Sequence, residues 1–117
     1  MSLYTPTFRL SHAGALKILQ AAVAKADEMK VPQCIIIVDQ SGETLASIRT
    51  DGAKFLSLRS AHKKALTAAS SGVATGGIDP AAEQRMSSAT DGKVTNVLGG
   101  LPIVVEGQVI GAIGVGS

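Results

Sequence analysis

Two pairs of short apolar runs, each pair joined by a tight polar or glycine-bearing turn, constrain this chain more than any other feature. Residues 33 to 38 contain Cys34-Ile35-Ile36-Ile37-Val38, and Gln40-Ser41-Gly42-Glu43 separates them from a second run over Thr44 to Arg49. Leu101 to Val105 and Val109 to Val115 flank Glu106-Gly107 in the same way. Runs this short, rich in Val and Ile and bounded by turn residues, read as strands, so each pair is a hairpin. Consecutive hairpins pair antiparallel. An α+β domain with helices packed on an antiparallel sheet is therefore expected, rather than an alternating parallel arrangement.

The segments between the hairpins carry the helical period. Ser11 caps a first helix running to about Lys30, because Leu16, Leu19, Val23 and Ala26 recur at helical spacing and Val31-Pro32 stops it. Ser57 to about Ser70 is a second, alanine-rich helix with Leu58, Ala61, Ala65, Ala68 and Ala69 in one arc. Gly72, Gly76 and Gly77 break the chain, and Asp79-Pro80 opens a short third helix through about Met86. A flexible stretch over residues 87 to 96 is expected before the second hairpin. A length of 117 residues fits a single domain spanning 1–117 with one core.

Composition excludes several classes of function. Eleven basic and nine acidic residues give a net charge of +2, and three aromatics (Tyr4, Phe8, Phe55) make no base-stacking platform, so nucleic acid is not an expected partner. The lone Cys34 rules out an intrachain disulfide or a cysteine-based zinc site, and it sits inside an apolar run as a core residue. No run approaches the roughly 20 residues of a membrane span, and residues 1 to 9 lack the pattern of a secretory signal. A cytoplasmic protein without membrane partners is the expectation. Charged residues at 17% and 13 glycines leave little polar surface for a small monomer, which points to a homo-oligomer.

The polar residues with chemical potential are few. At about 100° per residue, Ser57, Ser60, Lys64, Thr67 and Ser71 form one acid-free stripe on the second helix. It is either a donor-rich face that receives a carboxylate, with Lys64 as the charge, or simply the solvated side. His62 lies near the Leu58/Leu66 edge of the same helix, where a packed histidine is the usual outcome; His12, in the first turn of helix one, reaches outward to a metal or a neighbouring subunit. Two histidines fifty residues apart make no zinc site, but an axial bond to haem iron needs only one. Arg49 ends a strand beside Asp51-Gly52, and either forks onto a carboxylate or pairs with Asp51. Gly99-Gly100, before a strand, permits unusual φ values or close approach to a ligand. No nucleophile elbow, phosphate loop or carboxylate pair is present, so the residues favour a binding module over a catalyst.

Four segments together resemble the small-domain family that includes GlcG, the haem-binding HbpS and the C-terminal domain of PduO-type cobalamin adenosyltransferases. They are Arg49-Thr50-Asp51-Gly52-Ala53, the stretch Ser60-Ala61-His62-Lys63-Lys64-Ala65-Leu66-Thr67-Ala68, Gly99-Gly100-Leu101-Pro102-Ile103, and Gly107 to Val115. The resemblance implies a profilin-like antiparallel sheet flanked by helices, assembly into oligomers and, in several members, binding or degradation of haem. It also places Lys64 and Thr67 at a pocket. Family members continue past the equivalent of Gly114-Val115 into an acidic tail where this chain stops at Gly116-Ser117, a departure that bears on binding and assembly if the tail takes part in either.

The leading expectation is thus an oligomeric domain that binds haem or a related tetrapyrrole. In it the propionates lie near Lys64 and Arg49, Gly99 and Gly100 line the site, and the axial bond comes from His12 or, failing that, His62 or Thr67. The alternatives are an accessory protein or enzyme of a catabolic pathway that takes a small organic acid through Arg49 and Lys64, and a purely structural subunit.

Overall fold

The structure is a computed structural model describing residues 1–117. Its elements are α1 (His12–Met29), β1 (Cys34–Asp39), β2 (Thr44–Arg49), α2 (Leu56–Ser71), α3 (Pro80–Ala89), β3 (Gly100–Val105) and β4 (Gln108–Gly116). The four strands form one antiparallel sheet in the order β2-β1-β4-β3. Both expected hairpins are present, and they join through their inner strands, with Cys34 opposite Gly116 and Asp39 opposite Gly111. The antiparallel α+β architecture expected from the two hairpins is what the chain adopts.

Local chemistry sets the helix ends. The Ser11 hydroxyl accepts the Gly14 N–H at 3.0 Å, and α1 stops where Lys30 turns left-handed at φ 58° and Pro32 follows. Gly72, at φ 75°, terminates α2 with its N–H on the Ala68 carbonyl. The Asp79 carboxylate accepts the Ala82 N–H and Pro80 occupies the first turn of α3. That helix continues to Ala89, past the expected end at Met86, because the Thr90 hydroxyl closes its last turn onto the Met86 carbonyl at 2.7 Å. Residues 87 to 96 are accordingly not a loose stretch: they begin in a helix and end in a hydrogen-bonded loop.

Strand β1 is buried from Cys34 to Val38 because it is covered on both faces. Cys34, Ile36 and Val38 pack with Ala61, Ala65 and Ala68 of α2, together with Ala112. Ile37 faces the other way, into a cluster with Leu10, Ala15 and Ile110, beside Ile18 and Leu19 of α1. The result is three layers, α1, sheet and α2. Helix α3 stands outside them, with no buried residue of its own.

Helix α2 lies very close to the sheet. A Cβ on Gly114 would land on the Ala61 carbonyl, one on Gly100 on the Lys64 carbonyl, and one on Gly116 within 2.8 Å of the Ser57 carbonyl. Three glycines on two adjacent strands thus form the floor for an alanine-rich helix. Gly114→Ala should destabilise the domain by about 2 kcal/mol or more through overpacking against helix backbone that cannot move aside. A urea melt checks this, and a loss below about 0.5 kcal/mol, the scale of a neutral surface change, would contradict it.

Candidate functional site

The glycine floor decides where the polar stripe of α2 goes. Lys64 is only 6% exposed, and its Nζ donates to the Val115 carbonyl of β4 at 2.9 Å. Thr67 is buried one turn later; its hydroxyl donates to the Lys63 carbonyl at 2.8 Å and accepts the Thr95 N–H at 3.1 Å. Ser57 donates to the Ser117 carbonyl at 2.6 Å. The stripe is therefore no free outer face: its centre turns inward, since the missing side chains at Gly99, Gly100 and Gly114 leave room for a lysine stem and a hydroxyl between helix and strand.

Gly99 and Gly100 join Lys64 in this seam. Gly99 is held at φ 124° with the Val115 carbonyl and the Lys64 ammonium against the position a Cβ would occupy. The N–H of Gly100 is accepted by the buried Thr75 hydroxyl at 3.0 Å, and the Gly100 carbonyl receives the Thr75 N–H at 3.0 Å. Three of the expected site residues, Lys64, Gly99 and Gly100, thus meet at one helix–strand seam, stitched mainly by bonds to backbone carbonyls, while Thr67, one turn on, faces the loop after α3.

The other three lie elsewhere. Arg49 is exposed at the end of edge strand β2, opposite Cys34 and therefore two strands from β4. There its guanidinium partly offsets the burial that pushes the Cys34 thiol above its ordinary range. Arg49 and Lys64 share no cleft: Arg49 borders a hollow of about 450 Å³ with the C-terminal end of α1, while the Lys64 ammonium is committed to Val115. His12 is exposed at the start of α1, and α1 packs on the opposite face of the sheet from α2. His62 is half-buried on α2. A clamp made jointly by Arg49 and Lys64 is not what this fold assembles within one chain.

A further cleft, of about 530 Å³, opens beside Thr67 between α2, the β1–β2 turn and the α3 segment. Its walls come from three stretches distant in sequence. One of them, around Thr67, was marked by the polar stripe and by the family resemblance; the meeting of the three was not.

A family model described as haem degrading protein HbpS-like matches residues 10–117. The chain belongs to this family. It is 36% identical over 108 residues to an uncharacterised 15.0 kDa protein of Citrobacter freundii encoded between dhaT and dhaS, covering 88% of this chain and 76% of the relative. Among solved structures it resembles the Klebsiella pneumoniae protein ORFY with a TM-score of 0.89 at 30% identity, over 98% of this chain and 83% of that one. It also resembles PduOC, solved as a haem complex, with a TM-score of 0.82 at 29% identity, over 92% and 82% of the two chains. The segments that carried the resemblance, Arg49–Ala53, Ser60–Ala68, Gly99–Ile103 and Gly107–Val115, are the end of β2, the middle of α2 and the β3–β4 hairpin with its glycine floor.

Burial holds the Lys64 ammonium below its ordinary pKa of 10.5. Below the lowered value both folded and unfolded chains carry the charge, and folding bears a constant desolvation cost. Above it the folded chain gives up a proton that the unfolded chain keeps until about 10.5, so stability rises with pH through this window. In urea melts across the alkaline range, the stability difference between the native chain and Lys64→Met should shift in favour of the native chain as pH rises. Parallel curves would show that Lys64 ionises in the fold as it does in water.

Proposed function

We propose that this chain is an oligomeric domain that binds haem or a related tetrapyrrole, with His12 supplying the axial nitrogen. The observation that carries the proposal is the haem complex of PduOC, a protein that shares this fold over 92% of the chain. The description of the family as haem degrading supports the same reading. Fold alone does not specify a ligand, so the residues must fit it.

The surroundings of His12 suit a porphyrin. The imidazole is exposed at the helix start, and Leu16, one turn on along the same helix face, is 49% exposed, giving apolar contact for a macrocycle. Phe8, also partly exposed, precedes the helix. Arg9 and Lys17 are exposed cations close to His12 in the chain and complement carboxylate side arms. Lys64 is withdrawn from that role by its bond to Val115, and Arg49 lies by the C-terminal end of α1, the opposite end from His12, so it meets the propionates of a haem on His12 only if a neighbouring copy brings it round.

Assembly has its own support. Only 20 of the 117 residues are buried, and large apolar side chains such as Phe55, Leu56, Leu98 and Leu101 stand more than half exposed, a surface that a second copy would cover. No helix is long and apolar enough to cross a membrane, so a bilayer-spanning helix is not what absorbs this surface.

Hemin added to purified protein should give a sharp, saturable Soret band, and His12→Ala should shift or abolish it while His62→Ala leaves it in place. An unchanged spectrum in His12→Ala removes that residue as the ligand; a broad, unsaturable response reduces the interaction to hydrophobic adsorption. Light scattering on a sizing column should give a mass well above the 11.9 kDa of one chain, and a mass of 11.9 kDa would remove the oligomer from the proposal.

A further inference from the structure

The 530 Å³ cleft beside Thr67 has a chemistry of its own. We infer that it binds a small amphipathic organic anion, an apolar ring or short chain bearing one carboxylate, with Lys93 taking the charge. Its size is in the range of small-molecule sites, about 300–1,000 Å³.

The apolar part of the lining consists of Leu66 and Ala69 from α2, Ile78 before α3, Met86 from α3 and Val94 after it. Met86 is 42% exposed, a large flexible side chain without cover, and α3 has no buried residue. Hydroxyls of Ser41 and Ser70 stand among the lining residues. Lys93 is the only lining residue with a formal charge, and no carboxylate is among them. The single ion pair of the chain, Lys25–Glu28, lies on α1, so the Lys93 ammonium has no internal partner. Nearby Asp39 is already occupied, its Oδ1 accepting the Ser41 N–H at 2.8 Å and the Glu43 N–H at 3.1 Å. An apolar pocket with hydroxyls and one free cation selects an apolar body with one negative end.

The walls are held in place by polar bonds rather than by packing. Thr67 accepts the Thr95 N–H at 3.1 Å and reaches the Lys93 carbonyl at 3.3 Å, which anchors the backbone on which Lys93 and Val94 are carried. The Asn96 side chain pairs with both the N–H of Ile78, at 2.9 Å, and its carbonyl, at 2.6 Å, while the Glu83 carboxylate accepts the Asn96 N–H at 2.5 Å. The cleft is thus formed in advance, its α3 wall held by the Glu83–Asn96–Ile78 bonds although the helix buries no residue in the core. This site is separate from the haem reading, because His12 belongs to α1 on the opposite face of the sheet.

Calorimetric titration with naphthalene-2-carboxylate and its neutral analogue 2-naphthalenemethanol tests the inference on the full chain. The carboxylate should bind saturably, and Lys93→Gln should weaken it about fivefold, the upper end for an exposed charge pair, with the alcohol nearly unaffected. Met86→Glu, an exposed substitution compatible with the fold, should abolish carboxylate binding without lowering the melting temperature, and His12→Ala should leave binding unchanged. The inference is overturned if the carboxylate gives no saturable heat, if Lys93→Gln affects acid and alcohol equally, or if amide shifts on binding fall away from Leu66, Ile78 and Val94. Failure of hemin binding with these results intact would sink the haem reading alone.

Discussion

The close contact of α2 with a floor of glycines is the constraint on which the rest of the structure depends. At Gly100 and Gly114 a single added carbon would strike helix backbone, so the helix axis sits nearer the sheet than side-chain packing normally allows. Alanines at 61, 65 and 68 meet the floor and the β1 side chains without filling the gap. This is why a chain with only two phenylalanines and no tryptophan can close a core at all.

The same contact explains the fate of the polar stripe. A helix this close to β4 brings Lys64 and Thr67 under cover, where each must find partners or incur the cost of an unpaired buried group. Lys64 takes the Val115 carbonyl, and Thr67 takes Lys63 on one side and Thr95 on the other. No buried side-chain polar atom is left without a partner. Thr67 is then the link that ties the loop after α3 to the core, and through Asn96 and Ile78 it helps to fix a helix that contributes nothing to the apolar interior.

The helices and hairpins could be read directly, since each is announced within a few residues: Ser11 and Asp79 as caps, Pro32 and Gly72 as stops, short apolar runs rich in Val and Ile between turns. The error at the end of α3 is equally local, a threonine closing one more turn where only a polar run was visible. The site was harder to read. The spacing of Lys64 and Thr67 marked them as a pair, and Gly99-Gly100 marked a close approach, but nothing along the chain said that the two features meet. Nor did it say that Arg49, two strands away, and His12, across the sheet, do not.

By itself the sequence determined the elements and their antiparallel hairpins, because these follow from short-range periodicity and turn chemistry; membership in the HbpS-like family rests instead on likeness to that family's sequences over residues 10–117. Only the tertiary structure decided that β4 pairs with β1, that the donor stripe faces inward, and that three unrelated segments enclose a cleft around Lys93. The physical reason is that helix burial depends on what lies opposite. A residue's own sequence neighbourhood carries no record of whether that partner is a side chain, solvent or a bare glycine backbone.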